Sequence, residues 1–183
     1  MGKVIAGMAM SLDGFVNDRN GSVSRLYPDL DALRKTDLLQ EDIKTTGAVV
    51  MGRRAYDMAD GDFTGYEFQV PIFVLTHAAP QIVAKGENDR LSFTFVTDGI
   101  ENAIQRAKAA AGNKNVTVIG GADTVQQCLR AGLVDELQIG LAPVLFGGGT
   151  RLFENIGSEP IELEGSSVIE SIGIKYLQFR IVK

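Results

Sequence analysis

Hydrophobic positions along this chain follow two alternating patterns. Short continuous apolar runs predict buried strands at 3–10, 47–52, 71–76, 93–97 and 116–119. Elsewhere apolar residues recur at helical spacing, most clearly Ile100, Ala103, Ile104, Ala107 and Ala111, and Gly112 ends that helix. Short strands that alternate with amphipathic helices are typical of βαβ units. The pattern therefore predicts an α/β fold with a mainly parallel central sheet and helices on both faces.

The remaining segments complete this prediction. A single helix is expected from Pro28 to Thr46, with Pro28 in its first turn and Gly47 at its end. Asp98 is expected to cap the helix that follows it. The other expected elements are a short helix at 53–58, a surface loop at 59–69, a helix with Val125, Cys128 and Leu129 inward that ends at Gly132, a half-exposed strand at 137–141, and an antiparallel C-terminal hairpin at 161–170 and 173–182.

Polar and glycine-rich segments follow several predicted strands, where parallel α/β sheets bind their ligands. After the strand at 116–119, Gly120 and Gly121 lead directly into a helix that begins Ala122-Asp123-Thr124. Glycines let the backbone approach a ligand, and a helix N-terminus suits a phosphate. The alternative is a tight turn in which Asp123 or Thr124 caps the helix. The motif lacks the G-x-G-x-x-G spacing of the usual dinucleotide-binding fold.

Two further strand ends carry cationic or polar groups. The strand at 47–52 ends at Gly52 and is followed by Arg53 and Arg54, where an arginine can form paired hydrogen bonds to a phosphate. Thr76 and His77 end the strand at 71–76. The alternatives are solvated surface arginines and a histidine that serves only the loop.

At the end of the first strand, Asp13 can orient a polar substrate or take part in proton transfer. The alternative is an Asp-Gly turn in which Asp13 bonds its own backbone. The segment Phe146–Gly149 is either a mobile lid or a flexible connection. Cys128 lies on the apolar stripe of its helix and is assigned to the core.

Composition narrows the function classes. The chain has 183 residues and a formal charge of −5, which disfavours an electrostatically driven nucleic-acid binder. A single cysteine and a single histidine exclude an internal disulfide and a cysteine-based zinc site, and no metal site is expected. No apolar run reaches the ~18 residues that span a bilayer. We expect one soluble, cytoplasmic domain over residues 1–183 that acts on a small molecule.

Taken in order, these motifs resemble the dihydrofolate-reductase-like superfamily. The matching segments are S-L-D-G-F at 11–15, M-G-R-R at 51–54, L-T at 75–76, I-G-G-A-D-T at 119–124, A-G-L-V-D-E-L at 131–137 and P-V-L-F-G-G-G-T-R-L-F at 143–153. Within that superfamily the match is to the reductase domain of the bifunctional riboflavin-biosynthesis deaminase/reductase. The resemblance covers nearly the whole chain and implies a stand-alone reductase.

The resemblance also implies a cofactor and its contacts. It implies NADPH across the sheet, with Gly52, Arg53 and Arg54 at its phosphates and Thr76 and His77 beside the adenosine. The pyrophosphate-binding turn of the family, which often has a cis Gly-Gly peptide, matches Gly120, Gly121, Ala122, Asp123 and Thr124. Asp13 matches the family's position near substrate and nicotinamide. Relatives form homodimers, and the 133–141 segment and terminal hairpin are the candidate contact surface.

Departures from the family restrict the substrate. The chain has no tryptophan, which argues against dihydrofolate, and one cysteine cannot supply the zinc motif of the deaminase half. Folate reductases bind the pterin ring through a buried carboxylate, and the acids available for that role here are Asp29, Asp31 and Asp37. No cluster of basic residues that could bind a ribose phosphate is evident. The expected function is hydride transfer from NADPH to a small pteridine-, pyrimidine- or ribosyl-type substrate, with Asp13 as the catalytic residue expected to deliver the proton. The alternatives are a dihydrofolate reductase and a non-catalytic dinucleotide-binding protein.

Overall fold

A computed structural model describes residues 2–183. In that range the strands are β1 (Val4–Ser11), β2 (Thr46–Gly52), β3 (Ile72–Leu75), β4 (Phe93–Val96), β5 (Asn115–Gly120), β6 (Glu136–Ala142), β7 (Leu163–Ser171) and β8 (Ile174–Ile181). The helices are α1 (Leu30–Arg34), α2 (Asp37–Thr45), α3 (Arg53–Asp57), α4 (Ile100–Ala111) and α5 (Ala122–Arg130).

All of these strands form one sheet, in the order β4-β3-β2-β5-β1-β6-β8-β7. The pairs from β4 to β6 are parallel, whereas β8 pairs antiparallel with both β6 and β7. The predicted α/β class, with its mainly parallel sheet and C-terminal hairpin, is confirmed. Because β6 is hydrogen-bonded on both sides, the exposed edge of the hairpin belongs to β7 and the 133–141 segment offers no free edge.

Neighbouring residues of β2 enter two different cores on opposite faces of the sheet, as the period of a β-strand requires. Val50 joins the core under α4 and α5, and its neighbour Met51 joins the core on the opposite face. All five apolar residues of the predicted α4 stripe are buried. The second core includes Phe63 and Phe68, so the 59–69 segment is a loop anchored by buried rings rather than a purely surface loop.

Two local predictions were wrong. The helix expected over 28–46 is divided, because the Thr36 side chain accepts the Leu39 amide at 3.3 Å and so caps a second helix. Pro28 therefore precedes α1, and Gly47 lies inside β2. Asp98 does not cap α4, because its carboxylate pairs with Arg106 at 2.8 Å and Gly99 occupies the cap position.

The parallel strands all end at one edge of the sheet, which we call the carboxyl edge. In spatial order the ends of β3, β2, β5, β1 and β6 are adjacent there. This order brings together motifs that are more than a hundred residues apart in sequence. Within residues 2–183 no helix is both long and apolar enough to cross a membrane.

Candidate active site

The turn between β5 and α5 lies in the middle of the carboxyl edge. The Gly120–Gly121 peptide is cis, and Gly121 occupies the N-cap position of α5 without any side-chain cap. Asp123 instead accepts the Gln127 side chain at 2.7 Å, and Thr124 is buried, so the predicted capping role of either residue was wrong. A Cβ on Gly121 would meet no atom within 4 Å. The first turn of α5 thus has no side-chain cap, and the positive end of a helix dipole suits an anion.

The end of β2 packs closely against this turn. A Cβ on Gly52 would lie 2.4 Å from Oγ1 of Thr124 and 3.3 Å from the Gly121 nitrogen. Only glycine allows that approach, since real side chains do not tolerate such a contact. Gly52 thereby places Arg53 and Arg54 directly beside the start of α5.

The two arginines after Gly52 have different surroundings. Arg53 donates to the Asp57 carboxylate at 2.8 Å and to the Ala78 carbonyl at 3.0 Å, and Thr76 donates to the same carbonyl at 2.8 Å. The ends of β2 and β3 are thus joined at Ala78. The Arg54 side chain is exposed and has no ion pair or hydrogen bond with any of residues 2–183, so its cation is available to a ligand.

His77 follows Thr76 on the exposed side of this edge. Its side chain has no hydrogen-bond partner among the residues that the structure describes, and it is not aligned by a carboxylate. The structure therefore places it beside the Thr76–Ala78 junction without an activating neighbour.

Asp13 lies where β1 turns away from the sheet, and its carboxylate accepts three hydrogen bonds. It accepts the Ser11 hydroxyl at 2.6 Å and the backbone amides of Phe146 and Gly147 at 3.1 and 2.8 Å. These bonds, that of Ser11 foremost, lower the pKa of Asp13 to about 2. The segment Phe146–Gly149, predicted as a lid or a flexible connection, is therefore tied to the turn that follows β1.

Three arginines border the segment that follows β6, and sequence inspection missed them as a group. Arg19 donates to the Gly147 carbonyl at 2.7 Å, and the Arg151 guanidinium lies 4.6 Å from the centre of the Phe15 ring. Arg25 lines a cavity of about 300 Å³ with Ala142, Pro143 and Val144. None of the three forms an ion pair within residues 2–183. We call Arg19, Arg25 and Arg151 the arginine rim.

Other reactive groups have no part in this site. Cys128 is buried in α5, and burial raises its pKa to about 12, so it is a core residue, as predicted, rather than a nucleophile. No three His, Cys, Asp or Glu side chains among residues 2–183 are grouped to hold a metal ion. Of the acids considered for a buried carboxylate, Asp29 caps α1, Asp31 pairs with Arg34, and Asp37 lies exposed in the first turn of α2.

Comparison with known proteins agrees with this architecture. The model of the RibD C-terminal domain family matches residues 2–172. A candidate riboflavin biosynthesis protein from Shewanella sp. PV-4 has a similar structure, with a TM-score of 0.79 and 24% identity over 99% of both chains. A deaminase/5-amino-6-(5-phosphoribosylamino)uracil reductase from Thermotoga maritima has a TM-score of 0.78 and 18% identity, over 99% of this chain and 57% of its own.

Dihydrofolate reductase from Enterococcus faecalis, solved with NADP(H), is also similar. Its TM-score is 0.60 with 20% identity, over 99% of this chain and 97% of its own. At these identities the three structures establish the fold, which is of the dihydrofolate-reductase-like type.

Proposed function

The chain belongs to the RibD C-terminal domain family, and from that premise we propose that it is an NADPH-dependent reductase acting on a small heterocyclic substrate. The observation that carries the proposal is the junction of β2 with α5. There Gly52 packs against Gly121 and Thr124, so the exposed, unpaired Arg54 follows β2 next to the uncapped start of α5. This combination of donors suits a dinucleotide phosphate.

The residues at the carboxyl edge fit such a cofactor. The pyrophosphate would be held by the backbone of Gly120, Gly121, Ala122, Asp123 and Thr124. Gly52 lets the end of β2 pack closely against this turn. Arg54 would meet a further phosphate. Arg53, Thr76 and His77 would border the adenosine, with Arg53 and Thr76 fixing the backbone around Ala78. When bound, NADPH supplies the hydride, and the protein supplies alignment and electrostatics.

We propose a positioning role for Asp13 in this reaction. With a pKa of about 2 its carboxylate is ionised at neutral pH, so it is a hydrogen-bond acceptor there and not a proton donor. It holds the segment after β6 against the turn after β1, and a free lone pair can accept from a polar substrate group. The proton that completes the reduction then comes from water.

The arginine rim favours a substrate with an anionic group. Three guanidinium groups without carboxylate partners border one segment in a chain of net charge −5. Such a rim raises the local concentration of an anion and can bind a phosphate. We therefore propose a phosphorylated pyrimidine or ribosyl substrate, in a reaction like the reductase step named for the Thermotoga protein, ahead of a pteridine such as dihydrofolate.

Calorimetric titration with NADPH and NADH tests the cofactor, and NADPH oxidation with a phosphorylated aminopyrimidine or with dihydrofolate tests the reaction. We expect micromolar NADPH binding, weaker NADH binding, and oxidation that is insensitive to methotrexate. Methotrexate-sensitive oxidation of NADPH by dihydrofolate would favour a dihydrofolate reductase. Tight NADPH binding without turnover of any substrate would favour a non-catalytic binder, and no binding of either dinucleotide would remove the proposal.

We further propose that the protein is a cytoplasmic homodimer that contacts its partner through the terminal hairpin. The support is the free β7 edge, which carries exposed Leu163, Val168 and Ile169. Sedimentation equilibrium of the protein and of Val168→Asp tests the contact. A monomer at all concentrations would exclude it.

A further inference from the structure

Helix α5 carries two buried polar side chains, Thr124 in its first turn and Gln126 at its middle. Gln126 is 6% exposed, between Val125 and the buried Cys128 and Leu129. Burying an amide is unfavourable unless both of its polar ends find partners. Its presence one turn after the Gly121 cap therefore needs a specific reason.

The Gln126 amide group uses both of its N–H donors on one neighbouring segment. Its Nε2 donates to the backbone carbonyls of Arg151 and Leu152, each at 3.1 Å. An amide nitrogen has two donors, so its capacity is filled. The side chain thereby fixes the 151–152 backbone to the middle of α5, four residues after Ala122.

The same backbone segment is bound on its other side to the turn that carries Asp13. The Leu152 amide donates to the Gly14 carbonyl at 3.0 Å, and the Val16 amide donates to the Thr150 carbonyl at 2.8 Å. Phe15 and Arg151 form an antiparallel bridge between these bonds. Leu152 is itself fully buried. A continuous set of hydrogen bonds therefore runs from α5 through 150–152 to the residues next to Asp13.

We propose that Gln126 is a positioning residue that couples the cofactor-binding end of α5 to the Asp13 turn. The inference rests on the proposed function, because it takes the start of α5 as the site of the NADPH pyrophosphate. Binding that orders the start of α5 also orders the 150–152 segment through Gln126. That segment in turn orders Asp13 and its bonds to Phe146 and Gly147, so cofactor binding prepares the substrate side of the site.

The test uses amide hydrogen exchange, resolved by residue, at Phe146, Gly147 and Leu152, with and without saturating NADPH. In the unmodified protein we expect NADPH to slow exchange at these amides by about fivefold or more. In Gln126→Met, which keeps the size of the side chain but has no N–H donor, we expect NADPH to bind with an affinity within about threefold and the slowing to disappear. If that variant does not fold, Gln126→Asn, whose shorter amide cannot reach 151–152, replaces it.

Two controls separate this role from loss of packing. Cys128→Ala weakens the burial of the same helix, and Arg130→Met removes the hydrogen bond from the far end of α5 to the Asn155 carbonyl. Both should keep the NADPH-dependent slowing. Three outcomes overturn the role of Gln126 but not the proposed function. They are slowing that survives in Gln126→Met, slowing that is lost equally in the controls, and no slowing in the unmodified protein although NADPH binds. Failure of the unmodified protein to bind NADPH overturns the proposed function and the coupling with it.

Discussion

The backbone amide of Gly147 donates a hydrogen bond of 2.8 Å to Oδ2 of Asp13, and so joins two turns that are 134 residues apart in the sequence. The Ser11 hydroxyl and the Phe146 amide complete the set of donors to this carboxylate. The bonds explain both the ordered path of the glycine-rich segment and the low pKa of Asp13, because each favours the ionised form.

We predict that Asp13→Asn loosens the 146–149 segment. The amide nitrogen of asparagine would face an amide donor, so exchange at Gly147 should increase by about tenfold at pH 7. Asp18→Asn, which changes a carboxylate that bonds only within its own loop, should leave Gly147 unchanged. Unaltered exchange at Gly147 in Asp13→Asn would show that the carboxylate does not hold the segment.

The same carboxylate should contribute to acid sensitivity. Its folded-state pKa lies below the usual value of 3.8, so its contribution to stability is complete above about pH 4 and is lost as the pH falls toward 2. Urea denaturation of the protein and of Asp13→Asn should give a difference in unfolding free energy that shrinks between pH 4 and pH 2. A difference that is constant over this range would contradict the assignment.

We predict that Arg54, and not Arg53, distinguishes NADPH from NADH. Arg53 is occupied by Asp57 and Ala78, whereas the Arg54 cation is unpaired. Loss of a charge-assisted hydrogen bond to the 2′-phosphate should weaken NADPH binding by about tenfold or more in Arg54→Ala and leave NADH binding nearly unchanged. Arg90→Ala, at an exposed arginine away from the carboxyl edge, is the matched control in calorimetry. Selective NADPH loss in Arg53→Ala instead would reverse the assignment.

We predict that Gly52→Ala destabilises the fold mainly through a contact with Thr124. The new Cβ would lie 2.4 Å from Oγ1 of Thr124, and overpacking of this kind costs about 1–3 kcal/mol. The double variant Gly52→Ala/Thr124→Ala should recover much of that loss in urea denaturation. Gly7→Ala, whose Cβ would meet nothing closer than 3.8 Å, is the control. Additive effects in the double variant would exclude the contact.

We predict that Asp42 destabilises the protein at neutral pH. Burial raises its pKa to about 6, above the usual 3.8, although the Gln138 side chain opposes the shift. Asp42 therefore contributes most to stability below about pH 4, and that contribution is lost as the pH rises through 6. After allowance for partial exposure, Asp42→Asn should stabilise the fold by about 1 kcal/mol at pH 8 and have little effect at pH 4. The control is Asp37→Asn on the same helix, which should not raise the free energy of unfolding at pH 8. An equal effect of Asp42→Asn at pH 4 and pH 8 would contradict the prediction.

The pattern of apolar residues correctly predicted the helices and strands that bury an apolar face. The α4 stripe and the strands of the sheet follow directly from apolar periodicity, because each must cover or fill a core. The helix over 28–46 was predicted as continuous because apolar spacing continues across Thr36. There a local side-chain bond to the backbone ends one helix and starts the next, which periodicity does not record.

The sequence predicted which residues of the candidate site lie at the ends of individual strands, but not the contacts between neighbouring strand ends. Gly52, Gly120 and Gly121 could be located because glycine after a buried strand has a known use. The different fates of Arg53 and Arg54 depend on Ala78, which a separate loop supplies. Arg19 was missed because its partner Gly147 lies 128 residues away in the chain. Gln126 was missed because its partners are backbone carbonyls at 151 and 152, which a pattern of side chains does not record.

The position of β1 in the sheet also constrains how the protein is made. This strand precedes every other strand of the sheet in the sequence, yet its two neighbours, β5 and β6, come from residues 115–120 and 136–142. The ribosome must therefore continue from β1 to residue 142 before β1 can be paired on both sides. Until then this apolar strand has at least one open edge, which makes folding slow and the nascent chain prone to aggregate. Chaperone dependence during synthesis should accordingly centre on the segment Val4–Ser11.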